Sequence, residues 1–530
     1  MNKQQQSLVM VVLYAVLLGT GLVLWNNFSE SKKHADTQKS TNSIHVTKEI
    51  KQSLGYNYNV DHQLVDERLI TVKTDNVIAK IDRLGGSVVS VELVKYKTEL
   101  KGDKPVTIVS KDPEIFKIIN TGFVGDEPIL FASYADSYSL KPDQDKVVIK
   151  LTGQNKAGVG FIKTFTFHRD RYDIDVSETL KNHSASPWES QLYMHIKQNN
   201  LEEEAGFGKL RTFTGFSYYT NKKSYSKIDM EDLDEAPLKV SSKGGWIASQ
   251  QHYFITALIP PAGFLYNIYA APIDNGKHYV LKMISDSQKL MPNQQVQFDS
   301  KVYVGPEHAD KLEQLSPGLG LTIDYGWLWF ISNALFYLLE MIYKYIPNWG
   351  FAIILLTLFI KLVFYRLSAK SFQSMSKMKK LQPKIEELKA QYPDNREALA
   401  KATMDLYKKE QVNPMGGCLP MLLQIPFFIA LYWVLMESVE LRHAPFIGWI
   451  HDLSAKDPYY ILPILMGLSM LWQQKLMPQQ DPEQAKVMMV LPLVFTVMFL
   501  SFPSGLVLYW LTNNLLSILQ QWYCMRIYDN

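Results

Sequence analysis

The sequence predicts a polytopic α-helical membrane protein of six spans, with a large extracytoplasmic β-sandwich set between the first span and the second. Three observations carry that prediction. Long apolar runs are confined to residues 7–25 and to the chain after Tyr325. The region from about Val60 to Val304 instead alternates apolar and polar residues with period two. Finally, Lys and Arg cluster in the connections that one consistent threading places on a single side of the membrane. The net charge of +3 over 530 residues is too small to suggest a nucleic-acid partner.

Residues 1–25 read as an uncleaved signal anchor, because the apolar run "SLVMVVLYAVLLGTGLVLW" spans a bilayer and no small-x-small cleavage pattern follows it. Its flanks orient it weakly, Lys3 competing with Lys32, Lys33 and Lys39. Residues 26–58, rich in Ser, Lys, Asn, Asp and Gln, read as a flexible tether. Residues 59–320 form the β domain. Its strands are marked by Ile70, Val72 and Thr74, by Val77, Ala79 and Ile81, by Val147, Ile149 and Leu151, by Phe165 and Phe167, and by Tyr172, Ile174 and Val176, with turns such as "RLGGS" at residues 83–87. The acidic runs at residues 202–204 and 229–235 are expected to be solvated loops. His168, His195 and His252 are scattered, with no spacing that calls for a site. Both cysteines, Cys418 and Cys524, lie in or beside apolar segments, which excludes a disulfide framework and a Cys-based metal site.

Residues 324–347 form an amphipathic helix expected to lie in the membrane interface. Asn333, Glu340 and Lys344 share one face, while Trp327, Phe330, Leu338 and Met341 cover the rest. The second span is residues 349–367. Residues 368–415 form a charged helical hairpin turning at "QYPDN", and residues 416–524 hold four more spans, followed by a short tail, 525–530. Arg366, Lys370, Lys377, Lys379, Lys380, Lys384 and Lys389 put the hairpin in the cytoplasm. The connection 437–458, with only Arg442 and Lys456, is then external, and both termini are cytoplasmic. Prolines 420, 426, 463, 492 and 503 in or beside spans imply kinks, whose freed backbone groups need polar partners.

Within "FAIILLTLFIKLVFYRL", Lys361 stands out, since a cation near mid-bilayer costs roughly 2.5–3.5 kcal/mol on insertion. It lies about 9 Å of helix rise from Leu367, so snorkelling to the interface and a functional role both remain open. The spans also carry Thr357, Gln424, Thr496, Thr512, Asn513, Asn514 and Ser517, and no Asp or Glu in their cores. The missing carboxylates argue against a proton-coupled transporter, and no G-x-x-x-x-G-K-[ST] loop is present for an ATP-driven one. Polar neutral side chains around one cation suit the transient hosting of a polar guest. No catalytic residue, cofactor or metal is expected, so the chain is not read as an enzyme.

The motifs "VNPMGGCLPMLLQIPFFIALY", "APFIGWIHDLSAKDPYYILPILMG" and "FPSGLVLYWLTNN" resemble the YidC/Oxa/Alb family of membrane insertases. The resemblance covers the whole architecture and is specific from Asp324 onward. It implies a five-helix core enclosing a hydrophilic groove open to cytoplasm and lipid, a periplasmic β-supersandwich, and a bacterial inner-membrane location. Clients would be nascent membrane proteins, inserted alone or with the Sec translocon. Carried over by position, the groove falls on Lys361, Thr357, Gln424, Asn513 and Asn514, and client contact on Pro426, Phe428, Tyr509 and Trp510. The family's groove cation is commonly arginine, and lysine keeps the charge without the bidentate fork. The basic tail of many relatives is absent from "CMRIYDN", which leaves Lys377, Lys379, Lys380 and Lys384 of the hairpin as the candidate contact with the ribosome or with anionic membrane lipid. The competing reading is a membrane-anchored periplasmic binding or chaperone protein acting through its β domain.

Overall fold

A computed structural model describes residues 66–125, 128–200, 212–393, 395–412, 419–476 and 482–529. The anchor, the tether, the acidic run 202–204 and Cys418 lie outside the described residues. The chain divides into two compact units, one holding the β region to Ile323 and the other beginning at Asp324.

The β unit is built from a ten-stranded sheet and a nine-stranded sheet, with a two-stranded pair beside them. Period-two patterning decides which side chains face inward. In the strand Val159–His168, Val159, Phe161, Lys163, Phe165 and Phe167 are all buried, and every residue between them is partly exposed. Its antiparallel neighbour Asp173–Asn182 answers with Ile174, Val176, Glu178 and Leu180. Polar bonds cross between the sheets, from Lys117 Nζ to Gln251 Oε1 at 2.9 Å and from Ser249 Oγ to Gln198 Oε1 at 2.5 Å, so the inner faces meet as a sandwich. The acidic run at 229–235 departs from the expected loop. Met230–Glu235 is a short helix, because Met230 and Leu233 have apolar side chains to bury on one of its faces.

In the second unit, α1 (Trp329–Tyr345) buries Ser332, Leu335 and Leu339, while Trp329, Phe330 and Tyr337 stay exposed. Helix α2 (Trp349–Val363) starts at Asn348, whose side chain accepts from Phe351 N at 3.1 Å and donates to Phe446 O at 3.1 Å. A Cβ on Gly350 would lie 2.0 Å from the Phe446 ring, so only glycine permits this approach. The helix does not run on to Leu367 as expected. It breaks at Phe364, where composition turns from apolar to charged, and α3 (Tyr365–Gln391) leaves at a bend of 68°. Helix α4 (Arg396–Lys409) returns alongside α3, joined to it by Lys384 and Glu410 at 2.7 Å. Phe372, Met375, Met378, Leu381 and Ile385 of α3 pack with Tyr407 and Cys524.

The remaining helices are α5 (Leu419–Glu437), α6 (Ile461–Lys475), α7 (Pro482–Phe499) and α8 (Ser504–Asp529). Among the described residues no single helix is long and apolar enough to cross a membrane, while α2 and α3 pass that test together as a bent pair. The loop between α5 and α6 is tightly tied. Asp457, buried at 1%, accepts from Tyr459 N, Leu462 N and Trp449 Nε1, and Ser504 N and Gly505 N donate to Ala455 O and Leu453 O.

Candidate functional site

Three helices each turn a short stripe of unlike residues toward a neighbour. On α2, Thr357 and Lys361 are one turn apart and so share a face. Thr357 is buried, and its hydroxyl donates to Ile353 O at 2.7 Å, which satisfies it within its own helix. Lys361 Nζ reaches across to α8 and donates to Ser517 Oγ at 2.7 Å. Ser517 donates in turn to Asn513 O at 2.7 Å, and Asn513 is itself buried. A polar seam between α2 and α8 thus holds one cation whose described partner is a neutral hydroxyl.

The second stripe is aromatic. Gln424 and Phe428 share a face of α5, and Gln424 Nε2 donates to Tyr509 Oη at 3.5 Å. The Phe428 ring meets Trp510 edge-on at 4.6 Å, and Trp510 packs also against Phe495 and Phe499 of α7 at 6.1 and 5.5 Å. Tyr509 is only 1% exposed, so its ring belongs to the helix packing and its hydroxyl is the part presented to Gln424. Pro426 lies between them inside α5, where it removes one backbone donor from the helix.

Not every residue expected in one groove falls together. Asn514 Nδ2 donates to Ser469 Oγ at 3.1 Å, which turns its side chain to the α6–α8 contact. Neighbouring residues on a helix point about 100° apart, so Asn513 and Asn514 could not both face Lys361. Ser517 takes the place that Asn514 was expected to fill. Its signal lay in the spacing: Asn513, Ser517 and Gln521 recur every four residues in a largely apolar helix, and Gln521 too is buried. In the hairpin, Lys377, Lys379, Lys380 and Lys384 are all exposed, and Lys384 is paired with Glu410 at 2.7 Å. Of the histidines, His168 is bonded to Asp175 Oδ2 at 2.7 Å and His195 stacks on Tyr193, on strands of different sheets. Burial and the nearby Lys282, Lys197 and Lys163 hold the His195 imidazole well below its usual range. No group of three metal-binding side chains occurs among the described residues.

Residues 69–338 match the family model described as the YidC periplasmic domain, and residues 341–530 match that of the 60Kd inner membrane protein. The chain is 45% identical over 475 residues to the membrane protein insertase YidC of Coxiella burnetii (strain RSA 331 / Henzerling II), covering 88% of this chain and 84% of that one. This chain belongs to the YidC family. A second family member, the membrane protein insertase YidC of Legionella pneumophila (strain Corby), is 41% identical over 541 residues, covering 98% and 97% of the two chains. Among solved structures, a YidC insertase crystal structure with its first transmembrane domain resolved aligns at 18% identity and a TM-score of 0.38, covering 86% of this chain and 92% of that one. YidC membership makes the β-sandwich a periplasmic domain and the helical part that of an inner membrane protein.

Proposed function

We propose that this chain is a membrane protein insertase that passes apolar segments of nascent proteins from the cytoplasm into the inner membrane, along the seam between α2, α5 and α8. The observation that carries the route is Lys361, a cation held at 2.7 Å by the neutral Ser517 and so able to receive an acidic flank. A client segment of about 20 apolar residues is far more stable in lipid than in water, so the obstacle is kinetic: its polar flank must cross the hydrocarbon. A hydrated seam shortens that crossing, and Lys361 attracts carboxylates more strongly there than it would in bulk water. The apolar segment then leaves past Phe428 and Trp510 into lipid. No fuel is required, because burial of the client drives the step.

In this reading the chain has six spans with both termini cytoplasmic, α1 lies in the interface, and the α3–α4 hairpin faces the cytoplasm. Its exposed lysines meet the ribosome or anionic lipid, and the Sec translocon is a partner for larger clients. The test is reconstitution into liposomes with a short, single-segment client and no other protein. Protease protection of the client above that in empty liposomes is expected, and equal protection would refute the proposal.

A further inference from the structure

The chain leaves the sandwich as a strap. Beyond the strand Gln295–Pro306 and Glu307, residues 308–323 pass over the strands Gly215–Tyr219 and Trp246–Gln251 and stop where the helical unit begins at Asp324. Ser249 and Gln251 point to the other sheet, so Trp246 and Gln250, which alternate with them, point outward to the strap. The strap holds the short helix Ala309–Leu315 and the turn Leu319–Thr322, and it buries Leu312, Leu319 and Thr322. Two side chains grip its main chain: Trp246 Nε1 donates to Pro317 O at 3.2 Å, and Gln250 Nε2 to Thr322 O at 2.9 Å. Gly318, at φ +75°, passes so close to Tyr219 that a Cβ would lie 2.5 Å from the ring.

At the root of the strap is a carboxyl in a poor place for charge. Glu307 is 5% exposed, and its Oε1 accepts at 3.2 Å from Gln250 Nε2, the same nitrogen that holds Thr322 O. That amide has two hydrogens, so the closed strap satisfies both acceptors at once. Gln250 Oε1 is taken by Tyr225 Oη at 2.8 Å. The other titratable groups around Glu307 are Lys227 of the strand Ser226–Ile228, Tyr303 of its own strand, and His308, which meets Tyr96 Oη at 3.4 Å. On the strap itself, Glu313 accepts from Gly318 N and Gly320 N. Lys227 favours the ionised form of Glu307, but burial outweighs it and pushes the carboxyl up to about 8. Ionisation needs hydration that the closed strap denies it.

We propose that residues 308–323 are a proton-gated strap, closed while the Glu307 carboxyl is neutral and released by its ionisation, so that periplasmic pH sets how firmly the chain entering the helical unit is held. Release hydrates Glu307 and returns it to an ordinary carboxyl. Below about 4.5 both forms hold the proton, and pH does not move the equilibrium. Between about 4.5 and about 8 only the closed form holds it, and each pH unit favours the released form about tenfold. Above about 8 both are ionised and the gain stops. The anchors of the strap are few beside the strand ladders of the sandwich, so release does not require the sheets to unfold.

The test is hydrogen–deuterium exchange of the full-length chain in nanodiscs, read on peptides covering residues 316–323. Leu319 N, Leu321 N and Ile323 N donate to Ser316 O, Gly318 O and Gly320 O, so their exchange reports release. From about pH 5.5 to about pH 7.5, protection corrected for intrinsic exchange is expected to fall about hundredfold, and in Glu307→Gln to stay level. At each pH these amides should exchange faster than those of the strand Val159–His168, which report unfolding of the whole β unit. Should Glu307→Gln not fold, Glu307→Met, which also cannot ionise, takes its place. A level profile in the parent, an equal fall in the variant, or strap amides that exchange no faster than the core strand would each overturn the proposal.

Discussion

Replacing Lys361 with alanine separates a charge that acts on clients from one that merely reaches the interface. The structure makes this a clean perturbation. Ser517 Oγ, which accepts from Lys361 Nζ at 2.7 Å, also donates to Asn513 O at 2.7 Å, so the truncation leaves no hydroxyl donor stranded. It also relieves an insertion cost of about 2.5–3.5 kcal/mol, so the variant is expected to accumulate normally. A client carboxylate drawn to about 8 Å from Nζ, at an effective dielectric of about 20, gains about 2 kcal/mol, or about thirtyfold in rate where the flank crossing limits insertion. In proteoliposomes, Lys361→Ala is therefore expected to slow a client with Asp residues in its flank by about that factor and to spare the same client with Asn. Lys361→Arg should match the parent, and Lys361→Glu should be slower than alanine on the acidic client. Equal rates for Lys361→Ala and the parent on both clients would refute the electrostatic role.

Ser517→Val removes the hydroxyl that positions the ammonium and is expected to slow the acidic-flank client about threefold to tenfold, with the neutral client unchanged in the same assay. In the β unit, burial pushes the Glu307 carboxyl up to about 8 from an ordinary 4.5, against the Gln250 amide that donates to it at 3.2 Å. The native state then holds the proton that the unfolded state has lost between those two pH values. The stabilisation from Glu307 is full below about 4.5 and falls by up to about 1.4 kcal/mol per pH unit as pH rises to about 8. Denaturant titration should accordingly show Glu307→Gln gaining on the parent as pH rises from 5 to about 8. For orientation, Lys377 and Ala455 are both exposed and so open to labelling. Single cysteines at Lys377 and Ala455, with Cys418 and Cys524 replaced, should label from opposite sides of the inner membrane, and labelling at 377 by an impermeant reagent in intact spheroplasts would overturn the cytoplasmic hairpin.

What could be read from the sequence follows how local each signal is. Period two marked the strands through Ile70, Val72, Ile149 and Phe165 because one face of each strand is buried, and the buried rows match that alternation. Lys163 and Glu178 stand within such rows, yet neither pattern says that the two are directly opposite; that depends on register between strands. The turn at 391–395 was marked by Pro393, whereas the break at Phe364 carries no proline or glycine and was missed. In the seam, Lys361 was conspicuous by its charge. Ser517 stood among the polar residues of the spans and in a four-residue row with Asn513 and Gln521, but its pairing with Lys361 comes from the approach of α2 to α8. Asn513 and Asn514 look alike in sequence, but adjacent helical positions point about 100° apart, and it is Asn514 whose side chain turns to Ser469 of α6.

The two ends of α2 differ in a way that bears on direction. At its start, Asn348 caps the helix, Gly350 lies beneath Phe446, and the loop beyond that phenylalanine spends its carboxylates on its own backbone, Asp452 on His443 N and Ser454 N, and Asp457 on Tyr459 N and Leu462 N. Those acids are occupied, and no donor from a passing flank is needed to satisfy them. Lys361 stands 12 residues further along, about 18 Å by helix rise, just before the break at Phe364 that leads into the charged hairpin. A carboxylate partner for Lys361 would neutralise the site and compete with a client's acidic flank, whereas a serine orients the ammonium and leaves its charge in force. On the proposed route a polar flank entering from the hairpin end would meet early a cation whose described partner is a neutral hydroxyl, and find no comparable charge deeper along α2. On the proposed route that gradient would hold the flank partway across while the apolar segment leaves sideways, which is the order of events an insertase needs if the client is to end in lipid and not on the far side.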